Sequence, residues 1–163
     1  GGSWLPRIPH LKLVVWVDGA SMPNPGPSGA GLLVLARGQG QDWLFGWMAS
    51  LGFAGNNQAE FAGLSRALDL VRAVKPAQAL ILSDSMVGLR LVTGAQPATA
   101  ATHRSQQQRT ATWLGASRTT SLCWVPRNRN LAHHLAQSAA QLPAGTESVT
   151  ELGDVRRTLA RAS

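Results

Sequence analysis

The sequence predicts an α/β fold whose core is a five-stranded mixed sheet, three antiparallel strands followed by parallel ones, flanked by helices. Three observations point there. Strand-like runs come three in succession and then alternate with helical segments, the order of a mixed sheet with helices packed on its faces. The first run, residues 11–17 (LKLVVWV), is apolar and β-branched on both alternating faces, as a central strand covered on both sides must be. The chain has 163 residues, the size of one domain with a single core.

The first strand ends abruptly at Asp18-Gly19. Residues 21–31 (SMPNPGPSGAG) are dense in Pro, Gly and Asn and read as a tight connection. Two further strands are expected near 30–36 and 42–50, separated by the turn Arg37-Gly38-Gln39-Gly40, which makes an antiparallel meander. Asn56 or Asn57 is the expected N-cap of a helix carrying Leu64, Ala67, Leu68 and Val71 at helical spacing until Pro76 stops it. Residues 79–83 (ALILS) form a second buried strand ending at Asp84. Helices follow over about 85–92 and 103–115, then a strand at 121–125 and a helix over 130–142. There is no internal repeat. Residues 1–10 read as an N-terminal extension whose Gly-Gly-Ser start resembles a cloning remnant, 11–142 as the folded domain, and 143–163 as a weakly patterned tail with a short helix from Thr150 onward.

The formal charge is +7, and arginine supplies thirteen of the fifteen basic residues, which favours a polyanionic partner such as nucleic acid. Cys123 is the only cysteine, so no internal disulfide can form; the chain suits a reducing cytoplasm, and Cys123 is expected in the core. No apolar run is long enough to span a bilayer, and the first ten residues lack a signal peptide's layout, so no membrane association is expected. A monomer is the expected state.

Only eight residues are acidic, and three of them stand where a solvated carboxylate makes little sense. Asp18 shares strand parity with Val14 and Trp16, and Asp84 with Leu80 and Leu82, so each points toward an apolar face. Glu60 lies on the stripe of Leu64, Ala67 and Val71. Burying one ionised carboxylate costs several kcal/mol unless it is paired, and no lysine or arginine is placed as an obvious partner. A divalent cation resolves the conflict; hard oxygen ligands without cysteine or clustered histidine select Mg²⁺ or Mn²⁺ over zinc.

These segments resemble ribonuclease HI, of the RNase H-like fold. Residues 18–27 (DGASMPNPGP) look like the family's opening, Asn56-Asn57-Gln58-Ala59-Glu60 like its NNxxE helix start, and Ser83-Asp84-Ser85 like its second strand-end aspartate. Trp124-Val125-Pro126-Arg127, then Asn130, then Ala132-His133-His134-Leu135-Ala136 resemble its closing segment. The four blocks occur in family order over roughly 11–142. The resemblance implies hydrolysis of the RNA strand of RNA/DNA hybrids at a two-metal site, giving 5′-phosphate and 3′-hydroxyl ends. It assigns catalysis and two Mg²⁺ or Mn²⁺ ions to Asp18, Glu60, Asp84 and His133, and backbone contacts with the hybrid to Asn24, Asn56, Asn57 and Arg127.

Four departures qualify that pattern. His133 stands where the family has a fourth aspartate, although counting forward from Asn130 puts His134 there instead; an imidazole removes one negative charge and favours Mn²⁺. Arg127-Asn128-Arg129 replaces a loop histidine that helps product leave. No tryptophan- and lysine-rich protrusion separates Asp84 from Trp124, and Gly55 and Met86 replace a threonine and a glutamine that bind substrate. Trp16, Trp43, Trp47 and Trp124 are read as core because they lie within strand patterns. The alternative to an active enzyme is a catalytically weak or inactive nucleic-acid-binding module; a nuclease for double-stranded RNA or a DNA junction is a third reading.

Overall fold

The computed structural model describes residues 4–98 and 101–152. Its elements run β1 (Lys12–Ser21), β2 (Gly26–Gly38), β3 (Gln41–Ala54), α1 (Asn56–Val74), β4 (Gln78–Ser83), α2 (Met86–Thr93), α3 (Ala101–Ala116), β5 (Thr120–Trp124), α4 (His133–Ala140) and β6 (Glu147–Leu152), with a 3-10 turn at Arg127–Arg129. The strands form one sheet in the order β5-β4-β1-β2-β3-β6. β1, β4 and β5 pair in parallel, while β1, β2, β3 and β6 pair antiparallel.

The mixed α/β class is as expected, but the sheet has six strands, not five. The extra one, β6, falls in the segment read as a tail turning helical at Thr150. It occupies the open edge of β3, pairing Leu152 with Leu44 and Glu147 with Ala49, and so satisfies backbone groups that an edge leaves unpaired. Because only Ser148 and Leu152 are partly shielded, β6 carries no apolar alternation by which sequence could reveal it. The tail beyond Leu152 lies outside the described residues, as do residues 1–3. The expected tight connection at 21–31 is also shorter: the strands extend inward to Ser21 and Gly26.

Both faces of the sheet are covered at its centre. On one, Val15, Val17, Leu32, Val34 and Ile81 pack against Leu64, Leu68 and Val71 of α1. On the other, Leu33, Leu35 and Leu44 lie with Leu131 and Leu135, where α4 crosses β1, β2 and β3. Each fully buried side chain of this kind contributes roughly 1.5–3 kcal/mol, and the many here let the fold tolerate a few misplaced charges. The N-terminal extension joins in: Leu5 is buried, and Trp4 meets Phe45 edge-on with ring centroids 5.1 Å apart.

Two core assignments fail at the sheet's other edge. Cys123 is exposed, and Trp124 is 52 % exposed. α4 sits over β1, β2 and β3 but not β5, which leaves Cys123 uncovered; Trp124, on the opposite face with Leu122, is the last residue of the edge strand, and only Leu122 of the run packs against the core. Among the described residues no helix is long and apolar enough to cross a membrane.

Candidate active site

Backbone geometry brings the acids together. The parallel pairing of β1 with β4 runs from Lys12 and Gln78 to Val17 and Ser83 and stops there. Asp18 and Asp84 are the next residues along, at the carboxyl ends of adjacent parallel strands, where crevices in such sheets form. Glu60 arrives because α1 starts against Gly19, where a Cβ would lie 2.4 Å from the Ala59 carbonyl carbon and the Glu60 nitrogen. A bare backbone is what permits that approach.

The same device seats α4. Gly31 is the ladder partner of Asp18, and a Cβ on it would lie 2.7 Å from the Ala136 nitrogen. The helix therefore rests directly on β2 and carries its first residue, His133, to the cleft, with Nδ1 3.0 Å from Asp18 Oδ2. His134 is exposed and meets the His133 ring edge-on at 5.6 Å. Of the two candidate registers, it is His133 that touches an acid.

Ligand atoms of Asp18, Glu60 and Asp84 all lie within 4.8 Å of one another. Two unit charges at about 4 Å repel by about 4 kcal/mol at an effective dielectric constant near 20, so the three cannot all stay ionised cheaply. Burial, the Asp18 charge and a hydrogen bond with Asp18 push the Glu60 carboxyl up to about 10. Burial and Asp18 raise Asp84 as well, against the opposing pull of Arg127, His133 and a hydrogen bond from Asn130. Glu60 Oε2 is buried with no hydrogen-bond partner, and among the described residues no lysine or arginine forms an ion pair with any of the three. An orphaned carboxylate oxygen beside two more carboxylates and one imidazole is a donor set that fits a hard divalent cation.

The cleft, about 300 Å³, is also lined by Ser21, Asn56, Asn57, Arg127 and Gln137. Asn24 stands just outside this lining and ties it together: its Oδ1 accepts from the Asn56 nitrogen at 3.0 Å, and Asn56 Oδ1 accepts from the Ser21 nitrogen at 2.9 Å. Neither Asn56 nor Asn57 is the N-cap. Gly55 takes that place, its N–H donating to Gln58 Oε1 at 2.8 Å, which leaves the asparagines inside the first turn. Asn24, Asn56 and Asn57 are all exposed. A larger cavity of about 810 Å³ lies at the far end of α1, with Arg7, His10 and Lys75 but no carboxylate.

Three lining or supporting residues were given no site role by the sequence, although two of them stand in the segment that resembles the family's closing motif. Gln137 follows His133 by four positions and shares its helix face, a spacing that could have flagged it. Trp124 donates its indole N–H to the Asp84 carbonyl at 3.1 Å, and no strand pattern foretells that. Asn130 is buried and donates to the Val17 carbonyl at 2.7 Å.

Comparison with known proteins identifies relatives of the fold. The RNase H family model matches residues 10–141. The bifunctional protein Rv2228c of Mycobacterium tuberculosis is 30 % identical over 139 residues, which is 82 % of this chain but only 38 % of that protein's length. The solved N-terminal RNase H domain of Rv2228c, fused to maltose-binding protein, superimposes with a TM-score of 0.64 at 31 % identity over 80 % of this chain and 94 % of that one. LC11-RNase H1 in complex with an RNA/DNA hybrid gives 0.62 at 25 % identity, over 78 % of this chain and 96 % of that one.

Proposed function

The chain belongs to the RNase H family, and on that premise we propose that it is an endoribonuclease that hydrolyses the RNA strand of RNA/DNA hybrids, leaving 5′-phosphate and 3′-hydroxyl ends. The observation that carries this is the convergence of Asp18, Glu60 and Asp84 within 4.8 Å, with one Glu60 oxygen left unpartnered. Asp18, Glu60, Asp84 and His133 would hold two Mg²⁺ or Mn²⁺ ions. Bound there, the cations supply Lewis acidity that activates water and stabilises the leaving 3′ oxygen.

The protein's own groups do the rest. In the ion-free cleft Glu60 keeps a proton next to Asp18, and that proton must leave before a cation can bind. Asn24 and Asn56 spend their carbonyl oxygens on the backbone, which leaves their amide hydrogens for phosphate or 2′-hydroxyl oxygens in the wide minor groove. Arg127, exposed at the cleft's rim, offers a guanidinium to a backbone phosphate. Amides and a guanidinium that meet backbone atoms read no bases, so cleavage is sequence-nonspecific. We further propose that the protein is cytoplasmic and monomeric.

A gel assay on labelled RNA/DNA hybrid beside matched RNA and DNA duplexes, run in Mg²⁺ and in Mn²⁺, tests the proposal. Cleavage of the hybrid alone, lost in Glu60→Gln, is the expected result. The second reading, a binding module that does not cut, is favoured by one feature: His133 stands where a fourth carboxylate would balance the cations' charge. Tight hybrid binding without cleavage in either ion would select it.

A further inference from the structure

The geometry points to Asn130 as the positioning residue that joins β1 beside Asp18 to the start of α4, next to Asp84, and thereby sets the cleft's affinity for divalent cations. The inference rests on the nuclease reading above. Asn130 is 3 % exposed and lies between the 3-10 turn and α4. Its Nδ2 donates to the carbonyl of Val17, the residue before Asp18, at 2.7 Å. The same amide faces the Asp84 carboxylate and favours its charged form. Its Oδ1 accepts from the Ala132 nitrogen at 3.1 Å, and its main-chain carbonyl accepts from the His133 nitrogen at 3.3 Å. One side chain thus ties β1 beside Asp18 to the residue that leads into His133, with the Asp84 carboxylate next to it.

The chemistry requires an amide of this length. The nitrogen must donate to the Val17 carbonyl while the oxygen, on the same planar group, accepts from the Ala132 nitrogen. Aspartate keeps the acceptor but loses both donors and adds a fourth negative charge. Glutamine places the same atoms one methylene further out. Asn130 is not itself a cation ligand here; it acts by orienting the groups that are, and such supporting contacts tune affinity as strongly as many ligands do.

The test titrates Mn²⁺ by calorimetry into the wild-type chain and into Asn130→Ala and Asn130→Leu, the second keeping the buried volume, with thermal melts of the same samples. Hybrid cleavage is then followed as Mn²⁺ is raised. Folded variants that bind Mn²⁺ roughly ten- to a hundredfold more weakly, and that regain cleavage at high Mn²⁺ with an unchanged KM for hybrid, are the expected result. Variants that match the wild-type Mn²⁺ affinity overturn the inference alone. Failure of both variants to fold overturns it too, because Asn130 would then determine the fold and not the ion affinity. A wild-type chain that neither binds Mn²⁺ nor cuts hybrid removes the nuclease reading and this inference with it.

Discussion

At the scale of single residues, Glu60 carries the largest electrostatic consequence. Its ordinary value near 4.5 is raised to about 10 in the ion-free fold, chiefly by burial and then by Asp18. Between those values the folded chain holds a proton that the unfolded chain has released. Stability from this group is therefore full below about pH 4.5 and drains away as pH rises toward 10. Thermal melts in chelator should show the melting temperature falling from roughly pH 5 to pH 9; a rise over that range would refute the assignment. Glu60→Gln should flatten the slope and add about 0.5–2 kcal/mol at neutral pH while abolishing cleavage, the usual trade between stability and function. His133→Asp is a second expectation: restoring a hard carboxylate should raise cleavage in Mg²⁺ relative to Mn²⁺ by about tenfold, measured as a ratio of initial rates. The acids were legible because strand parity and helical stripes show a carboxylate facing the wrong way. Asn130 stood in a resembled motif without a role, because no periodicity tells which loop amide folds back onto a strand.

At the scale of elements, the site depends on how closely two helices approach the sheet. α1 meets β1 at Gly19, and α4 meets β2 at Gly29 and Gly31. Gly31→Ala puts a methyl carbon 2.7 Å from the Ala136 nitrogen, so α4 must lift. Overpacking of this kind costs about 1–3 kcal/mol, and lifting α4 withdraws His133 from Asp18. Chemical denaturation and hybrid cleavage should both show the loss, and cleavage should fall even where the variant remains folded. Gly40→Ala, where a Cβ meets nothing within 4 Å but φ is +74°, separates the two effects: it strains a distant turn and leaves cleavage by the folded fraction intact. Sequence located the strands and helices that make the core, since burial on one or both faces imprints a period of 2 or 3.6 on residues such as Val15, Val17, Leu64 and Leu68. It missed β6 and the exposure of Trp124 for one reason: at the edges of a sheet, position depends on what else covers the strand, and that information lies outside the strand.

At the scale of the molecule, charge is divided unevenly. The chain carries +7 overall, yet three of its eight acids meet in one cleft, which leaves the remaining surface more basic than the total suggests. A phosphate backbone is therefore drawn to the protein in general and repelled by the cleft until cations neutralise it. Two linked outcomes follow for binding of an RNA/DNA hybrid, measured by fluorescence anisotropy. In chelator, Asp84→Asn should bind at least as tightly as wild type, because it removes a charge that opposes phosphate, whereas Glu60→Gln, which replaces a carboxyl already protonated in the ion-free cleft, should bind as wild type does. With salt raised, log affinity should fall linearly against log concentration, with a slope of roughly 0.7–0.9 per phosphate neutralised, as for polyelectrolytes in general. Arg127→Ala should lower the magnitude of that slope by about one and weaken all hybrid sequences equally, since a phosphate contact positions without reading bases. An unchanged slope would place Arg127 off the substrate path. A sequence-dependent loss would make it a reader of bases, which an exposed guanidinium at a cleft rim is poorly placed to be when the partner is an A-like duplex with a deep, narrow major groove.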